Sequence, residues 1–177
     1  MLVRNDMAEE AAGNGARTTM TAMDPVDWLD DDQQRIWRSF LRTNSLMNQE
    51  LDRDLRQRDG LTLVEYGILV SLSEAEGQRV RMRHLADSVI VSKSRLSHQI
   101  ARLERDGYVR RESCSQDRRG SWAVLTEHGE KALAEAAPGH VTRVRECLFD
   151  RLTSEQVERL GEIMGVLEEG LRERTRR

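Results

Sequence analysis

The sequence predicts a mostly α-helical chain with one small β-hairpin, and three observations predict it. Apolar residues recur at helical spacing from about Trp28 to Leu55 and again toward Leu171. Between them, Val91 to Leu125 begins as a helix with one apolar stripe and breaks at Gly107 into two short alternating runs. T-x-x-E and T-x-x-Q capping boxes stand ahead of two of the periodic segments, at Thr62/Glu65 and Thr153/Gln156. At 177 residues the chain suits one domain, or one domain with extra helices, and can bury a core.

The first helix is expected over 24–58. Asp24 is placed as an N-cap and Pro25 at N1, where no donor is lost. Trp28, Leu29, Ile36, Trp37, Phe40, Leu41, Met47, Leu51 and Leu55 supply its stripe, and Gly60 ends it. Thr62 and Glu65 then cap a second helix, with Leu61 and Tyr66 placed as a hydrophobic staple. Leu63, Ile68, Leu69 and Leu72 form its core side.

A short third helix is expected over about Met82–Ser88, and the turn "VIV" leads from it into a fourth. Stepping by 100° per residue puts Ile100 and Leu103 within about 40° of Leu96, which defines the buried stripe. The opposite side carries Ser94, His98, Ala101 and Arg105, flanked by Arg95, Ser97 and Arg102, with no aspartate or glutamate. Hydroxyls, an imidazole and guanidinia donate to phosphate or read base edges, and Ala101 permits close approach. Short helix, tight turn and second helix with such a face make a helix-turn-helix arrangement; an ordinary solvated helix is the alternative on this segment alone. "YVRRE" and "SWAVL" read as strands joined by a loop "SCSQDRRG". In that loop Asp117 stands two residues before Arg119, placed to hold the guanidinium extended by a charge-assisted bond. An arginine so presented fits the narrow, electronegative minor groove of A·T-rich DNA.

Thr126 opens the C-terminal part, where Pro138-Gly139 is expected to interrupt a helix. Val141, Val144, Leu148 and Leu152 continue an apolar stripe, and after the Thr153/Gln156 box come Val157, Leu160, Ile163, Met164, Leu167 and Leu171. These stripes exceed what one small helix-turn-helix unit with its hairpin covers. A second copy of the chain is the expected cover, with an intramolecular helical cap as the alternative.

Charge distribution agrees. From Arg79 to Arg119 there are eleven Lys/Arg against five Asp/Glu, so the remainder of a chain of net charge −3 is strongly acidic. That is an acidic body presenting a basic surface to a polyanion. Cys114 and Cys147 match neither a metal-ligand spacing nor a disulfide framework and fit a reducing, cytoplasmic setting. No apolar run reaches membrane-span length, and the start lacks the apolar core of a signal peptide. Residues 1–22, small, polar and aperiodic, are expected to form a disordered tail, with Met7, Met20 and Met23 as alternative starting points. Ser92 to Ser97 with His98 resemble a nucleophile cluster but have no orienting carboxylate or oxyanion hole, and no phosphate loop or G-x-S-x-G occurs, so no enzyme is expected. The histidines (84, 98, 128, 140) show no H-x-x-x-H pair, so neither a metal nor another cofactor is expected.

"LTLVEYGILVSL", "HLADSV", "VSKSRLSHQIARLERDGYVRR" and "DRRGSWAVLTEHGEKAL", in this order and spacing, resemble the MarR-type winged-helix transcriptional regulators over roughly residues 28–172. The most specific parts are the L-E-x-x-G-Y-V-x-R junction (Leu103 to Arg111) and the D-x-R wing followed by L-T-x-x-G (Asp117, Arg119, Leu125, Thr126, Gly129). The resemblance implies a winged helix-turn-helix domain, 61–125, flanked by dimerisation helices, 24–58 and 126–172. It further implies a homodimer on a palindromic operator in double-stranded DNA, usually a repressor released by a small-molecule effector, an oxidant or a metal. The expected DNA-binding set is Ser92, Lys93, Ser94, Arg95, Ser97, His98, Gln99, Arg102, Arg105, Arg118 and Arg119, with Asp117 supporting Arg119. A winged helix that binds DNA without sequence choice is the alternative. Peroxide-sensing relatives carry a reactive cysteine early in the first helix, and this chain has none there. In relatives that bind aromatic acids, the cleft lies between dimer helices and DNA-binding lobe; Trp28, Trp37, Arg42 and His84 are candidates to line it, core packing explains both tryptophans equally well, and no ligand residue is assigned. Cys114 lies near Arg110, Arg111 and Arg118, whose charges favour a thiolate, although a plain exposed thiol is the simpler reading.

Overall fold

The computed structural model describes the backbone of residues 26–88, 93–114 and 117–175, and their side chains except at 86–88, 93, 114, 117–119 and 175. The expected tail over 1–22 and the Asp24-Pro25 start lie outside these residues. Helix α1 (Asp31–Asp59) nevertheless corrects that start, because 26–30 are not helical. Asp30 is the cap: Gln33 N donates to its Oδ1 at 2.7 Å, and Asp30 N donates to Gln33 Oε1 at 3.0 Å. This reciprocal box satisfies two orphan donors, and Asp31 and Asp32 add favourable charge to the first turn.

Gly60, at φ +69°, ends α1 in a left-handed conformation suited to glycine. Asp52 Oδ1 then accepts Leu63 N at 2.8 Å, which closes the turn into α2 (Leu63–Ser73). The Thr62/Glu65 box forms as expected, with Ile68, Leu69 and Leu72 fully buried. A 3-10 turn at Glu76–Gln78 leads to β1 (Arg79–Arg81), α3 (Met82–Ser88), α4 (Lys93–Arg105), β2 (Val109–Cys114) and β3 (Asp117–Leu125). The strands form one antiparallel sheet in the order β1-β3-β2, with Arg79 opposite Val124 and Arg81 opposite Trp122.

The sheet corrects two expectations. Strand β1 was not foreseen, since three residues of alternation carry almost no periodic signal. The strands reach into the loop expected over 113–120: Ser113 pairs with Ser121 and Cys114 with Asp117, with a register irregularity between them that skips 118–120. Antiparallel pairing needs backbone donors and acceptors rather than apolar side chains, so polar residues extend it.

Helix α5 (Glu127–Cys147) runs through Pro138, which also corrects the expected interruption. The bond that proline removes belongs to the carbonyl of exposed Ala134, on a side that water reaches. Around it, Ala136 is fully buried, Thr142 Oγ1 donates to Pro138 O at 3.0 Å, and Arg143 pairs with Asp54 of α1 at 3.3 Å. The His140 ring lies 4.3 Å from that of Tyr66 in α2. After a 3-10 turn at Phe149–Arg151, α6 (Ser154–Thr175) starts at the Thr153/Gln156 box, whose two bonds measure 2.9 and 3.3 Å. The core gathers Leu55, the buried residues of α2, Leu85, Leu96, Ile100, Leu103, the inner face of the sheet and Ala136.

The two specific motifs meet in space. Helix α4 ends in a Schellman motif: Tyr108 N donates to Leu103 O at 2.8 Å and Gly107 N to Glu104 O at 3.2 Å, with Gly107 at φ +77°. The Tyr108 carbonyl then accepts Thr126 N at 3.1 Å. Thr126 Oγ1 caps α5 by accepting Gly129 N at 3.0 Å, and its hydroxyl reaches Gly107 O at 2.7 Å and Tyr108 O at 3.0 Å. A Cβ on Gly129 would lie 2.1 Å from Tyr108 O, so only glycine fits. Gly129→Ala should therefore lower stability by about 1–3 kcal/mol or more, the usual range for overpacking. Gly67→Ala, in open space within α2, should be neutral or raise stability by up to about 1 kcal/mol. Urea denaturation of both variants checks this, and equal effects at the two sites would contradict it.

Candidate nucleic-acid interface

Helix α4 is seated by Leu96, Ile100 and Leu103, all at 1% exposure or less. The opposite side presents Ser94, Arg95, Ser97, His98, Ala101 and Arg105, every one exposed. These are the positions the helical stripe predicted. Gln99 is half-buried and turned partly inward. Ser92 lies outside the described residues, as do the side chains of Lys93, Asp117, Arg118 and Arg119, although Lys93 opens α4 and 117–119 open β3.

Arg102 differs most from its expected placement. Its guanidinium donates to Gly60 O at 3.1 Å, and its Nε stands 3.3 Å from Glu65 Oε1 and 3.8 Å from Asp106 Oδ2. Glu65, at 1% exposure, was legible only as a helix cap. In the sequence Arg111 is only a charge near Cys114, with no sign of its hold on α4. Its guanidinium donates to Ser97 O of α4 at 3.3 Å and pairs with Glu104 at 3.5 Å, while Arg111 N donates to Glu104 Oε1 at 3.3 Å. Arginines on both flanks thus hold α4 against the chain.

The basic excess is divided between faces. Arg79 and Arg81 stand 5.0 and 5.1 Å from the ring centre of Trp122, within cation–π range, and Arg110 pairs with Glu112 at 2.8 Å. With Glu76, Gly77 and Val124 these side chains, Arg81 apart, line an open groove of about 560 Å³ on the outer face of the sheet. Trp28, Trp37, Arg42 and His84 are all exposed, so the chain's own core does not account for the tryptophans; His84 Nε2 accepts from Arg83 Nε at 3.1 Å. Among the described residues no group of three or more His, Cys, Asp or Glu is placed to hold a metal ion. No helix among them is long and apolar enough to cross a membrane.

Residues 59–120 match the model of the MarR family. An uncharacterized HTH-type transcriptional regulator of Bacillus cereus is 30% identical over 129 residues, spanning 73% of this chain and 84% of the relative. Sco3205, a MarR family transcriptional regulator from Streptomyces coelicolor solved in complex with DNA, is 48% identical, with a TM-score of 0.76 over 81% of this chain and 91% of that one. AbsC, a MarR family transcriptional regulator of the same organism, is also 48% identical, with a TM-score of 0.75 over 83% and 99% of the two chains.

Asp52 links α1 to this surface. Burial raises its carboxyl pKa, but the bond from Arg56, the Leu63 N–H and the charges of Arg56 and Arg95 outweigh burial and hold it below the ordinary carboxylate value. A folded-state pKa below the unfolded one contributes stability above about pH 4, and that contribution is lost as pH falls through the folded value. Asp52→Asn keeps an acceptor for Leu63 N but not the charge. The melting temperature of the wild type should therefore exceed that of Asp52→Asn at pH 6, and the gap should narrow progressively as pH falls below about 4. A gap independent of pH would count against the ionic role.

Proposed function

The chain belongs to the MarR family of transcriptional regulators and is a DNA-binding regulator rather than an enzyme; from that premise we propose that it acts as a homodimer on a palindromic operator, as a repressor. The observation that carries the reading is the outward side of α4: six exposed residues, none a carboxylate, on a helix whose opposite stripe is fully buried. Helix α4 lies in the major groove, where Ser94, Arg95 and His98 face base edges and Gln99, Ser92, Lys93, Ser97 and Arg105 complete the set that binds bases and phosphates. Arg119, supported by Asp117 and accompanied by Arg118, enters the adjacent minor groove. That Sco3205, 48% identical, was solved in complex with DNA supports the assignment of partner.

Dimerisation is supported by apolar surface. On α6, Ile163, Met164, Val166, Leu167 and Leu171 are all exposed, as are Val141 of α5 and Phe149 in the turn that follows it. On α1, Phe40, Leu41 and Leu46 are exposed, and in the N-terminal unit ending at Trp37 so are Val26, Trp28, Leu29, Ile36 and Trp37. Apolar exposure on this scale within the helices marks an interaction surface. Two-fold pairing of the chain is the simplest cover, with two copies of α4 reaching half-sites about one helical turn of DNA apart. A small-molecule effector belongs to this reading as the releasing signal, and the protein works in the cytoplasm, where the DNA is.

The wild type should enrich one palindrome from a random duplex pool and keep it against unselected DNA at physiological salt. Equal affinity for all duplexes with a steep salt dependence would instead establish a DNA-binding protein without sequence choice. Arg119→Ala should weaken binding of the selected duplex by about 1–3 kcal/mol, the scale of one good contact. The double variant Ile163→Asp/Leu167→Asp should fold, sediment as a monomer and lose the palindrome. A dimer that survives both substitutions would place the interface elsewhere.

A further inference from the structure

We propose that Glu65 and Arg102 form a positioning clamp that sets the seat of α4, so that Glu65, which is buried, governs which DNA sequence is chosen. The inference rests on the reading of α4 as the recognition helix. It assigns Arg102 to Glu65 rather than to DNA.

Glu65 has two tasks. Its Oε2 accepts Thr62 N at 2.8 Å, completing the cap of α2. Its Oε1 is buried and receives no hydrogen bond of good geometry; what faces it is the Arg102 guanidinium, with Nε at 3.3 Å. A buried carboxylate oxygen without a counter-charge is costly, so α4 is held where Arg102 can face it. The same guanidinium donates to Gly60 O at 3.1 Å and stands 3.8 Å from Asp106 at the end of α4. One side chain of α4 therefore binds the α1–α2 turn, the first turn of α2 and its own helix end.

Such a pin is needed because Arg111, at Ser97 O and Glu104, holds one flank only, and the apolar part of the seat has little direction. Leu96, Ile100 and Leu103 fix which face is buried, but aliphatic contacts tolerate small rolls and slides of the helix. Arg95, His98 and Gln99 share the rigid helix with Arg102, so a roll at the clamp is carried to their tips. Base edges are read through directional hydrogen bonds, whereas phosphates are held largely by charge. Losing the clamp should therefore cost selectivity rather than general affinity.

The test uses the full chain, with affinities for the selected palindrome and for a scrambled duplex of equal length measured across a range of salt. Glu65→Gln is the informative variant, because glutamine still accepts Thr62 N and so preserves the cap while removing the charge. Expected is about a tenfold loss on the palindrome, the size of one mismatched base pair, with scrambled-duplex affinity and salt slope unchanged. Arg102→Gln should behave alike, and Glu65→Gln/Arg102→Gln should be no worse than either alone, because the two substitutions remove one interaction. The double variant leaves no buried charge unpaired, which keeps the result readable if Arg102→Gln folds poorly. Unchanged selectivity in Glu65→Gln overturns the clamp. So does an Arg102→Gln variant that weakens both duplexes equally and lowers the salt slope by about one, since that is the signature of a phosphate contact. A wild type without any preferred sequence overturns the reading of α4 itself, and the clamp with it.

Discussion

The carbonyl of Tyr108 is the point on which the DNA-binding part of the chain turns. It lies just past the Schellman end of α4 and accepts both the backbone N–H and the hydroxyl of Thr126, the cap of α5. One acceptor thus joins the end of one helix, the first residue before β2 and the start of another helix. The geometry demands a left-handed residue at Gly107 and the absence of a side chain at Gly129. These are the glycines of the two most specific motifs in the sequence, so a spacing that reads as family resemblance is also a set of steric requirements.

Electrostatics follows from that frame. The basic stretch from Arg79 to Arg119 reads along the chain as one surface, but the fold distributes its cations among three tasks. Arg102 and Arg111 grip α4 from its flanks, and Arg79 and Arg81 lie over Trp122 on the outer face of the sheet. Arg95 and Arg105 project from α4 on its exposed side. A count of charge cannot separate these tasks, because a guanidinium is equally suited to a carboxylate, a carbonyl, an aromatic ring and a phosphate.

That difference marks what was legible. The buried stripe of α4, the Thr62/Glu65 and Thr153/Gln156 caps and the end of α1 at Gly60 are local patterns, set by residues within one or two turns of one another, and each is present as the sequence implied. The start of α1 is masked in the sequence because Asp24-Pro25 is a strong signal, whereas the D-x-x-Q pair at Asp30 and Gln33 that caps the helix is a weaker one. At Pro138 the local signal is overridden: packing of Ala136 and the Arg143–Asp54 pair sustain a helix that propensity alone would end. The exposed side of α4 was legible in full, but the partner of Arg102 was not, since Glu65 lies thirty-seven positions away and had already been explained as a cap.

The pairing of β2 with β3 carries a consequence for how the hairpin meets anything. The ladder closes at Ser113 with Ser121 and again at Cys114 with Asp117, and it skips 118–120 between the two. Each backbone residue confined on docking costs about 1–2 kcal/mol of conformational entropy. The positions held on rungs of the ladder have met that cost during folding, so the body of the hairpin comes to any encounter already ordered, and what ordering remains falls outside the rungs.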